Sequence, residues 1–248
     1  MATKQVPGRL IAVDMEHMFG TSTGASVTRE GDSRIRGSEM LREIVRENPD
    51  VRVFMVQDCH PSARIKRFVV KGIEAVKEEG ITHYCIELPA NYGQRYDNLI
   101  QGLERPGEIR EIIADFYKCM GAPQLVYDAH VLELMHMGSV PKMVGIEHPD
   151  SGTRNAPTAD DRERHMFSGI REILEESPGN RVVALLGGSH AKDGNLLATF
   201  RDNPSLDWKV PSVTSRLIAS GIDVVTISFP ETRAEGLTQQ ELFDMIRK

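Results

Sequence analysis

Val53-Phe54-Met55-Val56-Gln57-Asp58-Cys59-His60 is a short apolar run that stops abruptly in residues able to do chemistry. Two further stretches repeat the arrangement. Tyr84-Cys85-Ile86 runs into Glu87-Leu88-Pro89, and Val182-Val183-Ala184-Leu185-Leu186 runs into Gly187-Gly188-Ser189-His190. Apolar runs of this length, bounded by turn residues, are how parallel strands covered on both faces read. Ligands of open α/β sheets sit just outside the carboxyl ends of such strands. Two histidines and a glutamate delivered to one edge of one sheet would therefore make an active site.

Strand and helix alternate outward from these runs. Leu10–Val13 reads as a first strand, followed by a loop rich in Gly, Ser and Thr over 20–31. A helix is predicted over 38–48, with Ser38 as its cap. Pro61 suits the first turn of another, whose apolar residues Ile65, Phe68, Val69, Ile73 and Val76 repeat at helical spacing until Gly80. Strand 82–87 follows, then helices over 109–120 and 125–137, and a strand over 142–146 leading to Glu147-His148. Thr158 is placed to cap a helix with Met166, Phe167, Ile170, Ile173 and Leu174 on its apolar face. A helix should begin near His190, with a loop over 204–211, a helix to Gly221, strand 224–228 and a last helix from Thr238. Strands linked by helices predict an α/β fold: a single domain over 1–248 with a mainly parallel central sheet and helices on both faces.

With 248 residues, 40% of them hydrophobic and 27% charged, the chain has the composition of a soluble globular protein. A formal net charge of −6 without a dense Lys/Arg cluster argues against nucleic acid or an anionic membrane as partner. A small molecule or a peptide is the expected substrate, and a homo-oligomer is compatible with the composition. Three cysteines make no secreted disulfide framework. Residues 1–9 have no apolar signal-like region, and no run approaches a membrane span of roughly 20 residues. The expected compartment is cytoplasmic.

The polar residues differ in how much they demand explanation. A histidine such as His60 at a strand end is often structural, but an imidazole there can also ligate a metal or act as a base near neutral pH. Asp58 lies two residues earlier and shares its face in an extended chain, where it can orient His60, ligate beside it or cap the next helix. Glu87 closes a strand buried on both faces, where a carboxylate is costly unless paired, hydrogen-bonded or metal-bound. Gly187 and Gly188 allow backbone N–H groups to approach a ligand or an oxyanion. Ser189 is not followed by the glycine of a nucleophile elbow. Arg154-Asn155 lies in a loop, where the guanidinium can bind a carboxylate or phosphate or pair with an acidic neighbour.

The ordered set of clusters resembles the superfamily of Tiki proteases, ChaN-like haem-binding proteins and erythromycin esterases. The resemblance covers about residues 50–230. It rests on Val53 to His60, on Gly80-Ile81-Thr82-His83-Tyr84-Cys85-Ile86-Glu87-Leu88-Pro89 with Gln94, on Arg154-Asn155, on Gly187-Gly188-Ser189-His190-Ala191, and on Gly221-Ile222-Asp223-Val224 after Leu217. Gln57 stands where a glycine is common in that superfamily. The resemblance implies that His60, Glu87 and His190 converge, with Arg154 and Asn155 nearby. It implies a hydrolase attacking an ester or amide carbonyl with an activated water, using a divalent metal held by His60, Glu87 and His190. Arg154 would hold an anionic substrate group or the oxyanion, and without a metal Glu87 and His60 would share the general-base role. The alternative from the same superfamily is a module that binds haem or a metal without turnover.

A rival resemblance begins earlier. Leu10-Ile11-Ala12-Val13-Asp14-Met15-Glu16 with Phe19, and Gln57-Asp58-Cys59-His60-Pro61, are similar to segments of isochorismatase- and nicotinamidase-type amidases. That reading makes Asp14 catalytic and Asp58 and His60 metal ligands, but Cys85 comes too soon after His60 for that family's nucleophile, and the family's cysteine turn is absent downstream. It leaves Glu87, Arg154 and the Gly187–His190 turn without roles.

Overall fold

The computed structural model describes residues 6–15, 37–59, 62–103, 134, 139–151, 155, 157–198 and 208–229. The elements in chain order are β1 (Leu10–Asp14), α1 (Gly37–Glu47), β2 (Val53–Asp58), α2 (Ala63–Glu78), β3 (His83–Pro89), α3 (Ala90–Ile100) and β4 (Lys142–Glu147). They continue with α4 (Ala159–Glu176), β5 (Val182–Gly187), the single turn α5 (Gly188–Ala191), β6 (Asn195–Ala198), β7 (Trp208–Pro211), α6 (Val213–Ala219) and β8 (Val224–Ser228).

Six strands form one sheet in the order β1-β8-β2-β5-β3-β4, and every pairing within it is parallel. The α/β expectation holds. Strand periodicity sorts the core into two layers, because successive side chains leave opposite faces. Phe54, Val56, Tyr84, Ile86, Val183, Leu185, Val225 and Ile227 pack with α1 and α2 through Leu41, Val45, Phe68, Val69 and Ile73. The alternate residues Val53, Met55, Cys85, Val182, Ala184 and Val224 pack with α4 and α6 through Met166, Ile170, Leu174, Val213 and Leu217. The same parity decides where strand-end polar groups go. Asp58 continues the Phe54–Val56 face toward α2, and Glu87 continues the Cys85 face toward α4.

Helix starts follow ordinary capping chemistry. Ser62 caps α2, accepting from the Ile65 N–H, and Thr158 caps α4 through the Asp161 N–H as expected. The expected loop over 204–211 is corrected at its end: Trp208–Pro211 is a strand, paired antiparallel with β6 in a two-stranded ribbon. Pro211 sits at the end of this isolated ribbon, where a missing donor costs nothing. The helices expected over 109–120 and from Thr238 lie outside the described residues, as does that over 125–137 apart from Leu134, which is helical.

One glycine sets the fit of α3 against β4. A Cβ on Gly93 would lie 2.0 Å from the backbone nitrogen of Gly145, so helix and strand touch backbone to backbone. Gly93→Ala must push α3 outward. It should cost about 1–3 kcal/mol, read as a lowered midpoint in urea at an unchanged slope.

Candidate active site

Glu87 leaves the sheet where the β3–β4 register slips. Ile86 pairs with Gly145, but Pro89 pairs with Glu147, so three steps on β3 match two on β4. Such a bulge re-aims side chains near a strand end. Glu87 and Glu147 are both buried there, and Arg162 from α4 bridges them. Its Nη2 donates to Glu87 Oε1 at 3.1 Å and also to Glu147 Oε2, while its Nε donates to Glu147 Oε1 at 3.2 Å. Glu147 is completed by the His148 N–H at 2.6 Å and the Ser151 hydroxyl at 2.7 Å. Burial works against the charge on Arg162, but the bond to Glu147 and the charges of Glu147, Glu87 and Glu163 outweigh it and raise its pKa.

His190 completes the cluster from α5. Its Nδ1 bonds to Glu163 Oε1, and its Nε2 lies 3.5 Å from Glu87 Oε1. Glu163, wholly buried, spends its second oxygen on the Val213 N–H at 2.8 Å, at the start of α6. Burial pulls the imidazole pKa down, but the charge of Glu87 and the bond to Glu163 outweigh it, so the net shift is upward. Glu87 Oε2 accepts the Gly187 N–H at 2.7 Å. This corrects one expectation: the Gly187 donor is taken by the protein's own carboxylate, and α5 is one turn long.

Of the expected site residues, Glu87 and His190 come together, and Gly187 and Gly188 form the turn beneath them. Asp58 is buried on the other face with both carboxylate oxygens on Lys66. Asn155 is exposed in a turn, and His60 and Arg154 lie outside the described residues. Cys85 is fully buried in the core, where burial pushes its thiol pKa up. A nucleophile needs the thiolate and access to solvent, and Cys85 has neither.

The residues that the sequence reading missed are Arg162, Glu163 and the role of Glu147. Within Asp160-Asp161-Arg162-Glu163-Arg164-His165 they look like a solvated helix face. One signal was present. Counting back from Ile173, Ile170 and Met166 places Glu163 on the apolar stripe, where a carboxylate needs a partner.

A divalent metal fits the described residues poorly. Glu87 Oε1 and His190 Nε2 are close enough to share one ion, but Arg162 already donates to that same oxygen. Among the described residues no group of three or more His, Cys, Asp or Glu could hold a metal. A cavity of about 560 Å³, lined by Asp50, Arg52, Arg171 and Asp223 among others, lies at the amino edge of the sheet, away from this cluster.

No protein-family model matches the chain, and no curated protein matches it. Among solved structures, the type III effector HopBA1 is similar with a TM-score of 0.52 at 12% identity, over 84% of this chain and 87% of that one. That likeness shows a shared fold. RRSP, a MARTX toxin effector domain from Vibrio vulnificus, aligns with a TM-score of 0.42 at 17% identity, over 78% of this chain and 36% of its own. ChaN of Campylobacter jejuni, described with cofacially bound heme, aligns with a TM-score of 0.38 at 13% identity, over 76% and 86%. None of these singles out Tiki proteases or erythromycin esterases. Among the described residues, no helix is long and apolar enough to cross a membrane.

Proposed function

We propose that the chain is a hydrolase that attacks an ester or amide carbonyl with a water activated at His190. The observation that carries the reading is the line Glu163–His190–Glu87. A carboxylate on Nδ1 fixes the imidazole and its tautomer, leaving Nε2 as the acceptor when the ring is neutral. Nε2 takes a proton from water, the oxygen attacks the carbonyl, and the imidazolium formed is held between Glu163 and Glu87. It then returns the proton to the leaving group.

Arg162 supplies the electrophilic side. Its Nε and Nη2 are bound to carboxylates, and among the described residues its Nη1 has no partner. The arginine side chain is 25% exposed, against 10% for His190 and 4% for Glu87, which makes it the most accessible of the three. Donors held ready for a developing oxyanion are worth about 10²–10³ in kcat each. Arg162 thus takes the part expected of Arg154.

The raised pKa of His190 gives a pH test. Hydrolysis of p-nitrophenyl acetate should rise with pH through a midpoint above about 6.5, the ordinary imidazole value, because the base must be neutral. Stability should move the other way. Ion pairing of the imidazolium stabilises the fold fully below its unfolded value and is lost as pH rises through the raised folded value. A rate that is flat with pH, or a midpoint below that of free imidazole, would sink the proposal. Metal analysis of the purified chain and a haemin titration are the counter-tests. A stoichiometric metal lost in His60→Ala, or a Soret shift lost in His190→Ala, would assign metal-dependent chemistry or ligand capture instead.

A further inference from the structure

The carboxyl edge of the sheet holds a second pair of charges that the proposed reaction leaves unused. Lys66 is 1% exposed and Asp58 is 5% exposed, and the ammonium donates to both carboxylate oxygens, at 2.8 and 2.9 Å. Removing an ammonium and a carboxylate from water is costly, and apolar residues of similar volume often serve stability as well or better. The neighbouring inward positions of α2 are apolar: Ile65, Val69, Val70 and Ile73. Core packing alone gives no reason for a lysine among them.

Position gives one. Asp58 is the last residue of β2 and stands in register with Gly187 of β5. The Gly187 N–H holds Glu87 Oε2, and His190 follows three residues later. Lys66 belongs to the first turn of α2, so the ion pair ties the start of the helix to the end of the strand. Beneath it, the Ser62 N–H donates to the Cys59 carbonyl at 2.6 Å. The two ends of the 59–62 connection, in which His60 lies by sequence, are thereby fixed to each other.

We propose that Lys66 and Asp58 are a positioning pair. Their bond sets the end of β2 against the Gly187 turn and so sets Glu87 and His190 for the reaction, without touching substrate. The inference rests on the hydrolase reading. The test uses the full chain, p-nitrophenyl acetate and three variants: Asp58→Leu with Lys66→Met together, Lys66→Arg alone, and His190→Ala as reference. The double variant should melt cooperatively at or above the wild-type temperature, while kcat falls at least about tenfold at unchanged KM, since small misplacements near the chemistry are costly. Lys66→Arg, which keeps the charge pair, should retain most of the wild-type kcat. A double variant with wild-type kcat overturns the positioning role, and one without a cooperative melt makes the pair structural and overturns it too. Wild-type hydrolysis in His190→Ala overturns the hydrolase reading and this proposal with it. Loss in His190→Ala with an intact double variant overturns this proposal alone.

Discussion

Arg162→Met should unfold the chain at markedly lower temperature, because it removes the cation between two buried carboxylates. Glu147 is 0% and Glu87 is 6% exposed, and both accept from the same guanidinium. Breaking a buried pair from one side costs about 3–5 kcal/mol, since the remaining charge keeps its desolvation penalty. At about 2–4 °C per kcal/mol for a chain of this size, the melting temperature should fall by roughly 6–20 °C. Arg162→Lys should fare little better, because a point-charge ammonium cannot reproduce the forked contact with Glu147 while also reaching Glu87. Adding Glu147→Gln to Arg162→Met should restore part of the loss, because one uncompensated charge then disappears. Calorimetry of the three variants checks this, and a melt within a few degrees of wild type for Arg162→Met would show that the bridge carries no weight.

The second large effect is catalytic. His190→Ala should lower kcat for p-nitrophenyl acetate by about 10²–10⁴, the usual worth of a positioned general base, with a smaller change in KM. Glu163→Gln removes the charge and the tautomer control together. Its one carbonyl oxygen can replace only one of the two carboxylate acceptors; with that oxygen on the Val213 N–H, its NH2 donates to Nδ1 and leaves the ring proton on Nε2, and the amide no longer stabilises an imidazolium. The kcat of this variant should fall while the midpoint of the pH profile moves down toward that of free imidazole. A profile that stays where it was would mean that Glu163 only braces α6. The stability of Glu163→Gln should also lose part of its pH dependence around the histidine midpoint, the part left being that due to Glu87, which a thermal-melt series resolves.

The sheet was legible because its signal is local. Apolar runs at 53–56, 84–86 and 182–186 bounded by turns leave little choice but covered parallel strands. Glu87 was legible for a different reason: a carboxylate there carries a cost that something must offset. Arg162 was not legible, because a cation on the first turns of an acidic helix looks solvated until the helix is docked. Only the docking of α4 on β3 and β4 brings residue 162 to residues 87 and 147, which are 75 and 15 positions away. Lys66 hides in the same way, as one charge within an otherwise apolar helical face. The β6–β7 ribbon escaped because the proline at its end argued for a loop and its strands are four residues each.

The strand order has a consequence for how the chain reaches this state. β8 lies between β1 and β2, so Leu10 finds its partner in Val224, more than two hundred residues later. β5 likewise slots between β2 and β3, both of which precede it. A chain emerging from the ribosome therefore cannot zip its sheet in order of synthesis. β2 must wait with both edges bare, first for β5 and then for β8. Closing such long loops before any contact repays them makes folding slow and leaves strand edges open to other chains meanwhile. Glu87 and His190 meet across the β3–β5 seam, so the chemistry is assembled late, only once the second half of the chain has threaded into the first.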